Sequence, residues 1–411
     1  MSRSKLEALK TIFTSEYWLI ASLCGAFFSF FALNRGGVVV FIDACFVFLF
    51  VNFLSGTYRL KDITLRFRVT VAICAYLLIV SVIFYPKVSH YGWMAHMVRM
   101  LVMVFAIHCL SLKKYHYWMT ILLFAMISMA VCWQSAAYYF FKMRYGTFTN
   151  PHYLSSFAML VLSVIAFSIL STKGWYKYLF IVVALLDIDL LVKVPSRPAV
   201  LGITVGAFFV LIFLTKGRRK WGGLLMFCTL LAGLLITNYG NLYSRFEELI
   251  LILPQEERVT IWSDTWNLLK ENSITTWIFG NGVGVFRTIY PELFTPVPGG
   301  TIIFPHFHGL EILYDSGVIA VFLVFSGIAS LLIYAIKGAK HADNVKSRIL
   351  IKCMIVAFIS WLIHTNLVFP FYSKYAQYSL AFILGTLLAI LEHPARQKDK
   401  IVYSPNDINR V

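Results

Sequence analysis

The sequence predicts an all-α protein that crosses a membrane about twelve times and carries one large loop on a single face. Three observations carry this. Of 411 residues, 59% are apolar and only 13% are charged. Apolar stretches long enough to cross roughly 30 Å of hydrocarbon recur from one end of the chain to the other. Basic residues cluster in alternate connections, as the positive-inside rule requires.

Spans are expected near 17–33, 37–54, 69–85, 93–112, 117–140 and 154–171, and again near 178–194, 199–215, 222–238, 309–336, 349–368 and 376–391. The first is longer than a secretory apolar region and no small-residue cleavage pattern follows it, so it reads as a retained span with no targeting peptide. With the N-terminus in the cytoplasm, the larger share of the 36 basic residues lies on the cytoplasmic side, among them Lys113, Lys114, Arg218, Arg219, Lys220 and Arg348. No loop is reversed. The net charge of +17 thus follows from topology and attraction to anionic lipid headgroups, and gives no reason to expect a nucleic acid partner. All seven cysteines fall inside expected spans, which suggests neither a disulfide framework nor a paired metal site. The chain divides into nine spans over 1–238, a large outward loop over 239–308, three spans over 309–392 and a cytoplasmic tail over 393–411.

That loop of about 70 residues exceeds an ordinary connection and is where function is expected. Within it, "RVTIWSDTWNLLKE" (258–271) puts Ile261, Trp262, Thr265, Leu268 and Leu269 at helical spacing. The helix either packs the loop onto the bundle or lies in the outer leaflet, with Arg258 in its first turn in both cases. In "IFGNGVGVF", glycines 280, 282 and 284 permit a tight turn and close backbone approach to a ligand, without the lysine of a P-loop. "TPVPGGT" (295–301) reads as a turn-rich hinge.

Charged groups collect toward the loop face. Arg197 lies in "KVPSRPAVLG", where prolines 195 and 198 predict a broken corner lining a polar cavity. It is either a snorkelling interfacial arginine or a clamp for phosphate. Arg99 sits within the fourth span and needs an interior partner or a binding role; by depth, Asp187 and Asp189 are the nearest acids. Those two are about 200° apart on a helix, which argues against joint chelation of a metal. "KMRYGTFTNPHYLSSF" (142–157) brings Lys142, Arg144, Asn150 and His152 to the same face. In "FPHFHGLEILYDSGVIAVF" (304–322), Glu311 and Asp315 are one turn apart at a helix start that favours carboxylates. His306 and His308 are candidates for proton transfer at the cavity edge.

The last stretch resembles the histidine motif of the bacterial O-antigen ligase and polymerase superfamily, with His306 standing 11 residues before Gly317. It departs from that pattern at Phe307, commonly Asn or Ser, and at Ala320, where a second glycine is expected. "GTFTNPHYLSSF" is similar to the family's Gly-Thr-Phe-x-Asn-Pro-Asn segment, and "SRPAVLG" to its Ser-Arg-Gly-Ala-like corner. "RVTIW" and "FGNGVGVF" resemble the entry and exit of its large periplasmic loop. The resemblance spans about residues 140–325.

It implies a GT-C-like, metal-independent glycosyltransferase at the periplasmic face of a Gram-negative inner membrane, with no cofactor. An O-antigen ligase would move an undecaprenyl-diphosphate-linked glycan onto a lipid A-core acceptor among membrane lipids. The resemblance makes His306 the base, with His308 as substitute or support, and has Arg197 and Arg258 hold the diphosphate with help from Arg144 or Arg287. Arg99, Asn150, His152 and Glu311 are further candidates for substrate binding. An O-antigen polymerase is the alternative, disfavoured by the single large loop. A lipid-linked oligosaccharide flippase is more distant, since no internal repeat is evident.

Overall fold

The computed structural model describes residues 16–29, 37–55, 64–84, 91–111, 128, 130–143, 151–194, 196–252, 257–294, 304–342 and 344–401. Regular structure among them is helical throughout. The helices are α1 (Glu16–Phe28), α2 (Gly37–Leu54), α3 (Leu65–Phe84), α4 (Tyr91–Ser111), α5 (130–139), α6 (Pro151–Ser171), α7 (Tyr176–Lys193) and α8 (Arg197–Phe209), which continues as a π-helical turn over Val210–Leu214. Next come α9 (Arg218–Ile236), the loop helices α10 (Leu242–Ile252), α11 (Glu257–Glu271), α12 (Ile274–Phe279) and α13 (Phe286–Leu293), and finally α14 (His308–His341), α15 (Val345–Val368) and α16 (Lys374–Ile401).

Eight of these are long and apolar enough to cross a membrane: α3, α4, α6, α8 with its π turn, α9, α14, α15 and α16. Their exposed faces carry large apolar side chains such as Leu225 and Met226 on α9 and Phe322 on α14, a surface suited to lipid rather than water. The other four expected spans are less complete. α1 has 13 residues, α2 offers the shorter apolar stretch Val39–Leu54, and α7 is interrupted by Asp187 and Asp189. The span expected over 117–140 lies partly outside the described residues, with 130–139 helical.

The core is built by α6, α15 and α16, whose facing residues (Phe157, Met159, Phe358, Trp361, Tyr378, Leu387) are almost wholly excluded from the surface. α16 packs on α4, and α15 packs on both α6 and α8. The α8 contact is unusually close for a backbone reason. A Cβ at Gly202 would stand 2.8 Å from the Ser360 carbonyl, and one at Gly206 2.8 Å from the Val356 carbonyl. This small-xxx-small stripe lets two helices approach where lipid provides no hydrophobic driving force between them. It carries the start of α8 up against the loop-side end of α15.

The loop is a folded unit pinned to α14. Ile261, Leu268 and Leu269 of α11 pack with Val285, Phe286, Tyr290 and Tyr314. Of the two readings of the amphipathic stretch, packing onto the bundle is the one observed. Tyr290 donates to Asp264 (2.8 Å), and its hydroxyl is pushed above the usual tyrosine range first by burial and then by that carboxylate. The glycine run does approach another backbone closely, but the partner is α14 itself. Gly317 breaks α14 with φ 77° and ψ 178°, and α12 crosses at that kink. Asn281 and Gly282 donate backbone N–H groups to the carbonyls of Tyr314 (3.0 Å) and Asp315 (2.7 Å). The Asp315 carboxylate in turn accepts from the N–H groups of Gly284 (2.7 Å) and Phe286 (3.2 Å). The Asp315 side chain is therefore explained by this strut rather than by the helix dipole alone. The "TPVPGGT" hinge lies outside the described residues.

Candidate functional site

Residues 304–308 bridge the loop and α14. Trp262 of α11 donates its indole N–H to the Pro305 carbonyl (2.9 Å) and leans on Phe307 with ring centroids 6.0 Å apart. Between them His306 adopts a left-handed backbone, φ 54°, at a cost of about 1–2 kcal/mol for a residue with a Cβ. The twist turns its ring onto Phe304, with centroids at 4.1 Å, and brings Nδ1 to 3.2 Å from the Leu367 carbonyl. A carbonyl only accepts, so Nδ1 carries the hydrogen and Nε2 keeps its lone pair. Burial pushes the His306 imidazole down to about 4; the Leu367 carbonyl opposes this and the Arg258 charge reinforces it. The ring is neutral at pH 7 and presents a proton acceptor.

His308 is placed differently. It is 5% exposed, its Nε2 donates to the Phe369 carbonyl (2.9 Å), and its backbone N–H donates to the Asn366 side chain (2.7 Å). Phe371 meets its ring edge-on at 5.3 Å. Its visible bonds fasten the first turn of α14 to the corner after α15. Glu311 serves the same corner, 3% exposed, accepting from the Phe371 N–H at 2.8 Å. That bond ties the Glu311 side chain to the backbone of the same corner.

Arg258, in the first turn of α11 as expected, acts electrostatically on both His306 and His152. His152 stands in the first turn of α6, and its charge environment also includes His306. Two imidazoles and a guanidinium from α6, α11 and the 304–308 bridge thus share one neighbourhood. On its inner side, the Ser196 hydroxyl lies 3.3 Å from Nδ1 of His152 and 3.3 Å from Nε2 of His364 on α15.

The proline-marked corner is as broken as the sequence requires: α7 ends at Lys193, Val194 is extended, and α8 begins at Arg197. Arg197 forms an ion pair with Glu248 of α10. From the same loop helix, Arg245 donates to the carbonyls of Val192 (3.0 Å), Lys193 (3.3 Å) and Val194 (3.2 Å). Val192 and Lys193 end α7, where carbonyls lack helical partners, and the Val194 carbonyl also accepts from the Ser196 N–H at 2.8 Å. One loop helix therefore caps α7 and latches the corner that presents Ser196.

Several sequence candidates lie elsewhere. Arg99 pairs with Asp43 of α2 at 3.0 Å, not with Asp187 or Asp189. Depth alone pointed to α7, but α2 packs against α4 and supplies the carboxylate. Asp187 is fully buried, while Asp189 is bound by Tyr139, Tyr239 and Lys193, so the two acids face different surroundings. The Arg287 guanidinium lies over the Trp93 ring at 6.0 Å. Arg144 and Asn150 lie outside the described residues.

Sequence reasoning missed Ser196, His364, Arg245 and the corner "NLVFPF" that positions both motif histidines. A signal was present: His364, Thr365 and Asn366 are consecutive polar residues at the loop-side end of an apolar span.

The fold and site define an α-helical membrane protein with a folded loop that closes imidazole and guanidinium groups over one end of the bundle. No protein-family model matches the chain, and no curated protein matches its sequence.

Proposed function

We propose that this chain is a GT-C-like, twelve-span membrane glycosyltransferase of the O-antigen ligase kind, with its loop and site at the periplasmic face of a Gram-negative inner membrane. One observation carries the reading. His306, with its N–H committed to Leu367 and its Nε2 lone pair available, shares a neighbourhood with Arg258 and His152 drawn from different elements. Transfer of a glycan from a lipid diphosphate needs a proton acceptor at the incoming hydroxyl and fixed donors at the leaving diphosphate.

In this scheme a hydroxyl oxygen of the lipid A-core acceptor attacks the anomeric carbon of the undecaprenyl-diphosphate-linked glycan. The bond from that carbon to the diphosphate oxygen breaks, its electron pair leaves with the diphosphate, and the hydroxyl proton passes to Nε2 of His306. A base with so depressed a pKa does not ionise a sugar hydroxyl beforehand; it takes the proton as the new bond forms. Arg258 holds the diphosphate, and Arg197 joins it by exchanging Glu248 for phosphate oxygens. The isoprenoid tail lies in the apolar cavity of about 390 Å³ between α3, α4, α14 and α16, lined by Ile73, Leu77, Met100, Ile328 and Leu384. Phe371 lines that cavity and also touches the His308 ring, which joins the apolar groove to the underside of the site.

Purified protein, one defined undecaprenyl-diphosphate glycan and lipid A-core should give the ligated product, and no product sinks the assignment. Lipopolysaccharide bearing a single repeat on gene deletion would instead mark a polymerase. The pH profile of kcat/KM should retain activity well below the ordinary histidine value of about 6.5 and fall only toward pH 4. Arg258→Gln removes a charge that holds the imidazole down, so the acid limb of that variant should move to higher pH. An unmoved limb would separate Arg258 from His306.

A further inference from the structure

Ser196 occupies the position where a serine ordinarily caps its own helix, yet it makes no side-chain bond to the first turn of α8. Its hydroxyl sits between two imidazoles instead, 3.3 Å from Nδ1 of His152 and 3.3 Å from Nε2 of His364. The hydroxyl has one hydrogen and two lone pairs, so at most one ring accepts from it, and among the described residues Nδ1 of His152 and Nε2 of His364 are the acceptors that its hydrogen can reach. Ser196 is 1% exposed and His364 wholly buried. The far nitrogen of His364, Nδ1, has no hydrogen-bond partner among the described residues.

That orphan sets the direction of the chain. Were Nδ1 of His364 to carry the hydrogen, a fully buried N–H would point at nothing, and such donors are rarer in proteins than under-satisfied acceptors. With the lone pair there, Nε2 of His364 donates to Ser196 and Ser196 donates to Nδ1 of His152. The hydrogen of His152 is then left on its Nε2. His306 is fixed the opposite way, because its Nδ1 donates to Leu367. We infer that Ser196 and His364 are positioning residues that lock His152 as an Nε2–H donor, so that one imidazole of the pocket gives a hydrogen bond to a diphosphate oxygen while the other accepts the acceptor's proton. A neutral donor beside Arg258 recognises the anion without placing a second positive charge next to the guanidinium. The naming of the anion rests on the glycosyl transfer proposed above; the tautomers rest on geometry alone.

The test has two arms. In ¹⁵N spectra of histidine-labelled protein, His152 and His364 should appear as Nε2–H tautomers and His306 as Nδ1–H, each assigned by the signal lost in His152→Gln, His364→Gln and His306→Asn. Ser196→Ala should return His152 to a mixture of tautomers, which a merely structural serine would not do. In the second arm, geranyl diphosphate is titrated onto purified protein in detergent. Ser196→Ala and His364→Leu should each weaken binding about tenfold. The double variant should be no weaker than the worse single, because both remove the same chain of bonds. His364→Gln, whose amide still donates to Ser196, should stay near wild type, and this pair carries the comparison if Ser196→Ala does not fold. An Nδ1–H signal for His152 in the wild type, or unchanged affinity in both Ser196→Ala and His364→Leu, overturns the inference. Wild-type protein that binds no geranyl diphosphate refutes the proposed transfer instead, and leaves the tautomers to be judged on the spectra.

Discussion

On the proposed transfer reaction, His306→Ala should lower glycan transfer by about 10²- to 10⁴-fold, the range expected for loss of a positioned base. In the native host, core lipopolysaccharide should then lack O-antigen while long lipid-linked chains accumulate. Alanine, however, also removes the bond to Leu367 and occupies a left-handed backbone poorly. His306→Asn separates these effects. Asparagine tolerates φ near 54° and keeps a side-chain N–H to donate, but has no basic nitrogen. It should fold at least as well as the alanine variant and be equally inactive. If instead His306→Asn transfers glycan at near-normal rate, the ring serves only to shape the bridge, and the base must be sought elsewhere.

The largest effect on folding is expected at Gly317→Ala. A Cβ there would stand 2.1 Å from the Ile278 carbonyl oxygen, on a backbone with φ 77° that side chains avoid. Backbone strain and forced repacking together cost about 3 kcal/mol or more. The loss is localised by design: α12 must lift off the kink, and with it go the contacts of Asn281, Gly282 and Gly284 to Tyr314 and Asp315. The variant should show early loop cleavage under limited proteolysis and lose transfer activity even where the spans still insert. Ala320, three residues on, is also fully buried but lies in regular helix, so Ala320→Gly should leave the loop protected. Wild-type protease resistance in Gly317→Ala would mean the interlock is not what holds the loop.

What could be read from the sequence follows the physics of each feature. Apolarity and length are local properties, so the eight clear spans were legible, and so was the place where the loop ends and α14 begins at His308. The amphipathic period of 258–271 was equally legible, but whether its apolar face met lipid or protein depended on Tyr314, Phe286 and Tyr290, which no periodicity names. Pairings across the bundle were not legible. Arg99 finds Asp43, 56 residues earlier, because α2 happens to pack against α4. Ser196 finds His364, 168 residues later, because the Gly202 and Gly206 stripe brings α8 and α15 together. The glycines of "FGNGVGVF" announced a close backbone approach, and the approach seen is that of Gly280 to Asp315 and Ser316 of α14, since a missing Cβ fits a helix backbone as well as a ligand.

On the proposed function, α6, α11 and the 304–308 bridge bring His152, Arg258 and His306 into one site that receives a lipid diphosphate. Cross-linking reads this arrangement: in protein whose exposed Cys132 and Cys228 are changed to serine, His152 and Arg258 are replaced together by cysteine and treated with a short bis-methanethiosulfonate linker. Efficient intramolecular cross-linking is expected. Reaction no greater than that of the two single-substitution variants in the same background would mean that the two positions lie apart.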